Sequence, residues 1–417
     1  MRSFSLKYIF PVYIGIVLLD LNEFVTRYIG SQGALTLLIL GLSFFLLLSA
    51  KPLKAGSESL SRAFLVALFG YLGFGVLAGI LEGDFWTLGK EVRYYLPTII
   101  IYFAVHRTIL SIRVEKDLFR TITIATIFIA INAVFILLSI VFGIDFHGAS
   151  DSNHIERAVG LYSNANRAGY VSTIGQSLAL LLLFSTNTRS KNLYFGLYLL
   201  CLFAAVSTFS KGSIILSLLL AGRMIYLGLT SSIDSSRGAL RKYVRRFSFL
   251  ISILFLGSVF GVFNLQSKLS NLQSKRINQV QLLMLGQIND QTTTHRSELA
   301  SYAFNEMQST FFLGAGLGKF HKMDIGNGTH NIYLLILGES GLLALFLYLL
   351  FLSKWSMKSF SKSSFNSIKF ASGNIVILLV FSGFAAHTVL SNKPFILTIA
   401  LIIGALRIKE LVLDTRL

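Results

Sequence analysis

Apolar residues fall along this chain in twelve long runs, near 8–21, 33–50, 63–81, 95–110, 121–142, 168–186, 192–209, 213–229, 247–264, 331–352, 370–390 and 395–411. No polar block large enough for a soluble domain separates them. A helix that crosses a bilayer takes roughly 20 apolar residues. The pattern therefore predicts an all-α fold, a polytopic transmembrane bundle of about twelve helices forming a single domain over 1–417. Two polar stretches between runs exceed ordinary turns, 143–167 and 265–330, and loops of that length are usually functional or disordered. The second has a pattern of its own. Thr292, Thr293 and Thr294 offer capping oxygens, and Ala300, Ala303, Phe304 and Met307 then repeat at helical spacing. A short amphipathic helix over 295–309 is expected, lying on the membrane surface or capping a cavity. Gly314, Gly316 and Gly318 end it in a flexible turn.

Composition agrees with a membrane protein and narrows little else. Hydrophobic residues make up 54% of the 417 and charged residues 13%, with a mean hydropathy of +0.68. The first run lacks a small-residue cleavage site, so a removable signal peptide is not expected. A single cysteine, Cys201, excludes an internal disulfide framework and a cysteine-based metal site. The net charge of +18 raises nucleic acid as a partner, but the basic residues are spread through short loops, without a patch interleaved with stacking aromatics. Orientation explains them better. With the N-terminus in the cytoplasm, the inside segments hold 23 Lys and Arg and the outside segments 13, six of those in 265–330. Both termini are then cytoplasmic, and 265–330 is a long periplasmic loop inserted before the tenth helix.

The candidate chemistry gathers on that outer side. His330-Asn331 stands where the long loop re-enters the membrane, and Gly338-Glu339-Ser340-Gly341 follows about two turns later. An acid at that depth either works chemically or pairs with a neighbouring helix as structural glue. A second cluster, Arg157 through Tyr162, Asn164, Asn166 and Arg167, opens the helix near Ala168. Arginine forks onto phosphate oxygens and helix N-termini attract anions, while either asparagine could simply cap the helix. Lys211 sits in the tight turn Ser210-Lys211-Gly212, where a lysine most often snorkels to the interface. With Arg93 and Arg296 these side chains form a one-sided cationic set, and a low-dielectric cavity so lined would favour a polyanion. Segment 313–320 fails the phosphate-loop pattern, because Leu313 and Phe320 replace its first glycine and its hydroxyl residue. No HExxH or paired-aspartate motif is present. Any phosphate chemistry should therefore be metal-independent, with a donor delivered from the membrane.

Three stretches resemble the O-antigen ligase/O-antigen polymerase superfamily of bacterial inner membranes. They are Gly160-Leu-Tyr-Ser-Asn164-Ala-Asn166-Arg-Ala168, Ser210-Lys211-Gly212, and Arg296 through Gly314-Ala-Gly316-Leu-Gly318 into His330-Asn331-Ile-Tyr333-Leu334 and Glu339-Ser-Gly341. The chain carries Lys211 where the family shows arginine, keeping the charge but not the planar fork. The resemblance implies transfer of a glycan from undecaprenyl pyrophosphate to an acceptor hydroxyl, with no cofactor. His330, Arg296 and Glu339 are the expected catalytic group. Arg157, Arg167, Lys211, Arg93, Asn164, Asn166, Asn331 and Tyr333 are the expected substrate- and pyrophosphate-binding group. Expected partners are the lipid-linked glycan, an acceptor glycan (a lipid-linked repeat unit or lipid A core), membrane lipids and a chain-length regulator. Two substantial outer segments favour a polymerase, which holds two lipid-linked glycans, over a ligase. A transporter or flippase is the rival from another class. It predicts midplane charges in several helices and related halves, whereas here only Arg223 and Glu339 qualify.

Overall fold

A computed structural model describes residues 8–21, 25, 33–50, 59–112, 115–142, 144, 146, 158–162, 164–185, 190–230, 278, 279, 282, 300–302, 304, 305, 308, 310, 313–320, 330–361, 367–384, 386 and 388–414. All regular structure among them is helical. In chain order the helices are α1 (Phe10–Leu19), α2 (Ala34–Ser49), α3 (Ser59–Leu81), α4 (Phe85–Leu110), α5 (Glu115–Phe142), α6 (Ala165–Phe184), α7 (Lys191–Ser207), α8 (Lys211–Thr230), α9 (Ile332–Phe360), α10 (Ser367–Gly383) and α11 (Lys393–Asp414), with a 3₁₀ turn at Thr388–Leu390. Of these, α3, α5, α6 and α9 are long and apolar enough to cross a membrane. The run at 247–264 and most of 265–299 lie outside the described residues.

Several helices start well before their apolar runs. Helix α4 begins at Phe85 rather than near 95, because the Asp84 side chain accepts the Thr87 N–H and caps it there. Lys90 and Arg93 consequently ride on helix rather than on loop. Helices α5 and α9 likewise extend into charged ends, to Glu115 and Phe360. A hydropathy run marks only the apolar stretch of a helix, so charged first and last turns escape it.

The chain divides into two compact units, one of residues 1–128 and 289–417, the other of 129–288. In the first, α3 and α9 pack most extensively and run antiparallel, with Gly75 against Ser340 and Gly70 against Leu347. Interhelical hydrogen bonds supplement van der Waals packing, as in membrane bundles. Tyr13 bonds Ser43 at 2.8 Å between α1 and α2, Ser61 bonds Tyr102 at 2.8 Å between α3 and α4, and Trp355 donates to Ser372 at 2.7 Å between α9 and α10. Helix α11 lies against α4, where Gly404 admits the Ile109 side chain. In the second unit, α6 is enclosed by α7 and α8 and is buried from Ala168 to Leu183. That burial includes Ser172, Thr173, Gln176 and Ser177, whose hydroxyls turn back onto α6's own carbonyls while Gln176 crosses to Ser217 at 2.8 Å.

The outward faces are apolar as well. Along α9, Leu342, Leu343, Phe346, Leu349 and Leu350 recur at helical spacing and are each about half exposed, and α2 presents Leu37, Phe44 and Leu48. A helix apolar on both faces has no use for water on either.

Candidate functional site

The glycine-rich stretch 314–320 is fastened into the last turns of α3 and the first turns of α9, and its sequence explains how. Gly314, Gly316 and Gly318 all have left-handed backbone, with φ of 91°, 97° and 87°. Only glycine adopts that conformation without penalty. At Gly316 a Cβ would lie 2.7 Å from the Cα of Gly79, and at Gly314 the same distance from the Glu339 carbonyl. The Gly75-Val-Leu-Ala-Gly79 spacing on α3 lets the segment lie directly on that helix. On the other side α9 breaks at Gly341 (φ 80°, ψ −177°). A break exposes carbonyls to outside donors, and here Gly338 and Glu339 accept the N–H groups of Ala315 (2.7 Å) and Gly316 (3.0 Å). Leu317 donates to the Gly75 carbonyl at 3.2 Å.

Glu339 supplies the remaining acceptors. It is wholly buried, and its Oε1 accepts the N–H groups of Gly318 (2.9 Å) and Phe320 (3.3 Å) while its Oε2 accepts the Tyr71 hydroxyl (2.6 Å). Tyr71 in turn bonds Tyr95 at 3.0 Å, and Ser340 donates to the Tyr71 carbonyl at 2.7 Å. Irregular backbone away from water is stable only when its polar groups are met by protein. This segment meets that condition through one carboxylate and three main-chain carbonyls. The Phe320 ring then closes over Gly338.

His330 follows at the start of α9. It is exposed, and its φ of 44° places a non-glycine residue in left-handed backbone. Such strain clusters at functional sites. Asn331 caps the helix, its Oδ1 accepting the N–H groups of Tyr333 (2.9 Å) and Leu334 (3.2 Å). The Tyr333 hydroxyl donates to the Val380 carbonyl of α10 at 2.9 Å, and its ring meets Phe384 at 4.8 Å. The expected loop helix falls partly on described positions, of which 300–302, 304, 305 and 308 are helical, with the Tyr302 ring 6.2 Å from Phe320. Arg296 lies outside the described residues.

Within the second unit, Arg167 and Lys211 stand in the first turns of α6 and α8, both partly exposed. Two glycines bring these helix starts together. Gly169 leaves room for Ser213 and Thr208, and Gly212 leaves room for the Tyr170 hydroxyl. Asn164 caps α6 by accepting the Asn166 N–H at 2.7 Å. The turn before it is held from α5, where Asn132 Oδ1 accepts the Leu161 N–H at 2.8 Å and Gly160 turns with φ 60°. Arg157 lies outside the described residues.

Arg93 is exposed on α4 in the first unit. Six residues before Lys90, Asp84 pairs with Lys319 at 3.4 Å, tying the glycine-rich segment to the α4 start. Hydrogen bonds from Thr87, with Lys319 a lesser contributor, hold the Asp84 carboxyl below its usual range.

Neither a known protein family nor a curated protein matches this chain. Site assignments therefore stand on the residues themselves. Tyr71, Tyr95 and Asn132 are the functional-site neighbours that hydropathy hides, because each lies inside an apolar run. The signal that points to the first is the close-approach pair Gly75 and Gly79 just beyond Tyr71 on α3.

Proposed function

We infer that this chain is a polytopic bacterial inner-membrane glycosyltransferase that moves a glycan from undecaprenyl pyrophosphate to an acceptor hydroxyl on the periplasmic face, with both termini cytoplasmic. The polymerase reading, in which the acceptor is a second lipid-linked repeat unit, is preferred. Outward-facing apolar residues on helices whose inner faces are also apolar support the bilayer. The observation that carries the substrate class is the pairing of Arg167 and Lys211 on adjoining helix starts of one unit. Two cations in the first turns of two helices, each at the positive end of a helix dipole, favour a phosphate-rich anion.

In this reading the acceptor oxygen attacks the anomeric carbon as His330 removes its proton. The bond from that carbon to the pyrophosphate oxygen breaks, and the lipid pyrophosphate leaves with the electron pair. Arg157, Arg167, Lys211 and Arg296 are the cations that the family resemblance assigns to offset the charge that develops on the leaving group. An imidazole suits proton removal near neutral pH. Asn164 and Asn331 order the two helix starts by capping them.

The lipopolysaccharide of a deletion strain tests the reading. Core bearing a single repeat, restored to long chains by wild type but not by His330→Ala, is expected of a polymerase. Loss of every attached repeat with lipid-linked polymer accumulating means a ligase. An unchanged profile, or full rescue by His330→Ala expressed at wild-type level, overturns the assignment of the histidine.

A further inference from the structure

Glu339 lies about two turns beyond His330, with no exposed surface, and among the described residues Tyr71, Gly318 and Phe320 donate to it. A general acid or base must come within hydrogen-bond reach of the atom it serves. A carboxylate with no exposed surface does not offer that reach. We propose that Glu339 is a positioning residue and that, with Tyr71, it latches the 314–320 segment so that the chain on both sides of it is held for the reaction.

The latch follows from counting donors and acceptors. Five N–H groups of an irregular segment (Ala315, Gly316, Leu317, Gly318 and Phe320) need partners away from water. Main-chain carbonyls of α3 and α9 take the first three. Only a side chain reaches the last two, and one sp² oxygen with two lone pairs serves both. Tyr71 holds the other oxygen and Tyr95 holds Tyr71, so the carboxylate cannot turn away without breaking a chain of bonds. The consequences run outward from the segment in two directions. Phe320, its last residue, packs on Gly338 within α9 and is ten positions short of His330. Tyr302 of the preceding helical stretch rests on the same Phe320 ring. One buried carboxylate therefore fixes Phe320 and, through its ring, the support of the helical stretch that carries Tyr302.

The two roles for Glu339 predict opposite results for an isosteric amide. Gln keeps an sp² oxygen for Gly318 and Phe320 and offers an N–H₂ to the Tyr71 oxygen, but it can neither take nor give a proton at catalytic need. The inference rests on the glycan-transfer reading for its activity arm alone. The protein is reconstituted with Leu313→Cys carrying a spin label, a site that is 59% exposed, while the single native cysteine, Cys201, is buried. Lipid-linked repeat units extracted from the source bacterium serve as donor and acceptor. Glu339→Gln is expected to leave the label as immobile as in the parent and to lower kcat by only about threefold, the size of one weakened hydrogen bond. Its pH profile should keep the parent's shape. Glu339→Ala is expected to free the label and lower kcat by more than about thirtyfold, and Tyr71→Phe, which preserves volume, to fall between. A Gln variant as inactive as Ala, with its label still immobile, overturns the positioning role in favour of proton transfer. An immobile label in both Glu339→Ala and Tyr71→Phe overturns the latch. If the parent transfers no glycan at all, the glycan-transfer reading falls by itself, and the label still decides whether the carboxylate holds the segment.

Discussion

Replacing Gly316 by alanine tests the fastening of the glycine-rich segment from its backbone side. Two separable costs arise. Left-handed backbone, φ 97° here, costs an alanine about 1–2 kcal/mol. The new methyl would also lie 2.7 Å from the Gly79 Cα and 2.9 Å from its nitrogen, so the segment must retreat from α3 by several tenths of an ångström. Overpacking of that kind costs about 1–3 kcal/mol. Retreat further stretches the bonds from Gly316 to the Glu339 carbonyl and from Leu317 to the Gly75 carbonyl, at 3.0 and 3.2 Å. Gly83→Ala is the matched control, since its φ is 74° but nothing lies within 4 Å of the added carbon. It should show the conformational cost alone. The assay is apparent unfolding temperature in detergent, with the spin label at position 313 reporting on the segment. Gly316→Ala should lower the transition clearly more than Gly83→Ala and free the label. Equal shifts with an immobile label would refute the close approach to Gly79.

Other residues give independent checks. Asn132→Ala removes the side-chain acceptor of the Leu161 N–H, at 2.8 Å, and should destabilise by about 1–3 kcal/mol; hydrogen exchange at Leu161 should accelerate, and unchanged protection would contradict the bond. Gln176→Leu breaks the buried contact to Ser217 and should lower stability by about 0.6–1.7 kcal/mol, a change read from the unfolding midpoint and absent if α6 and α8 do not meet there. Asp84 gives a pH dependence. Its folded-state pKa is depressed, first through Thr87 and then through Lys319, so its stabilisation is present above the unfolded value and fades as pH falls through the lower folded one. The difference in unfolding temperature between wild type and Asp84→Asn should therefore be constant near neutrality and close below about pH 4. A difference that survives at lower pH would show that the charge is not its source.

Much of the helical layout is legible in the hydropathy, because apolar length is what a bilayer selects. The described helices match eleven of the twelve runs, and the mismatches sit where charge enters a helix end, as at Lys90 and Arg93 on α4. Capping was legible in part. Of the two candidates Asn164 and Asn166, Asn164 caps α6, since a short amide is suited to the orphan N–H groups there; Asn331, expected to bind substrate, caps α9 in the same way. The turn at 314–320 read as flexible, whereas in the structure alternate glycines serve close contact and each backbone donor among Ala315 to Gly318 is bonded. Glycine spacing alone does not tell mobility from tight packing; the partners that decide, Glu339 and Tyr71, lie 268 positions apart along the chain. Tyr71 and Tyr95 escaped notice for a related reason. Inside an apolar run an aromatic hydroxyl looks like core, and its polar function appears only once the buried acid has a place.

The central claim is transfer of a glycan from a polyprenyl pyrophosphate, and reconstitution measures it most directly. Purified protein in proteoliposomes, given the lipid-linked repeat unit of its source organism, should release undecaprenyl pyrophosphate in step with products two or more repeats long. His330→Ala, and the double variant Arg167→Ala with Lys211→Ala, should abolish both. Chain growth without pyrophosphate release, or wild-type release from the His330→Ala protein, would contradict the account.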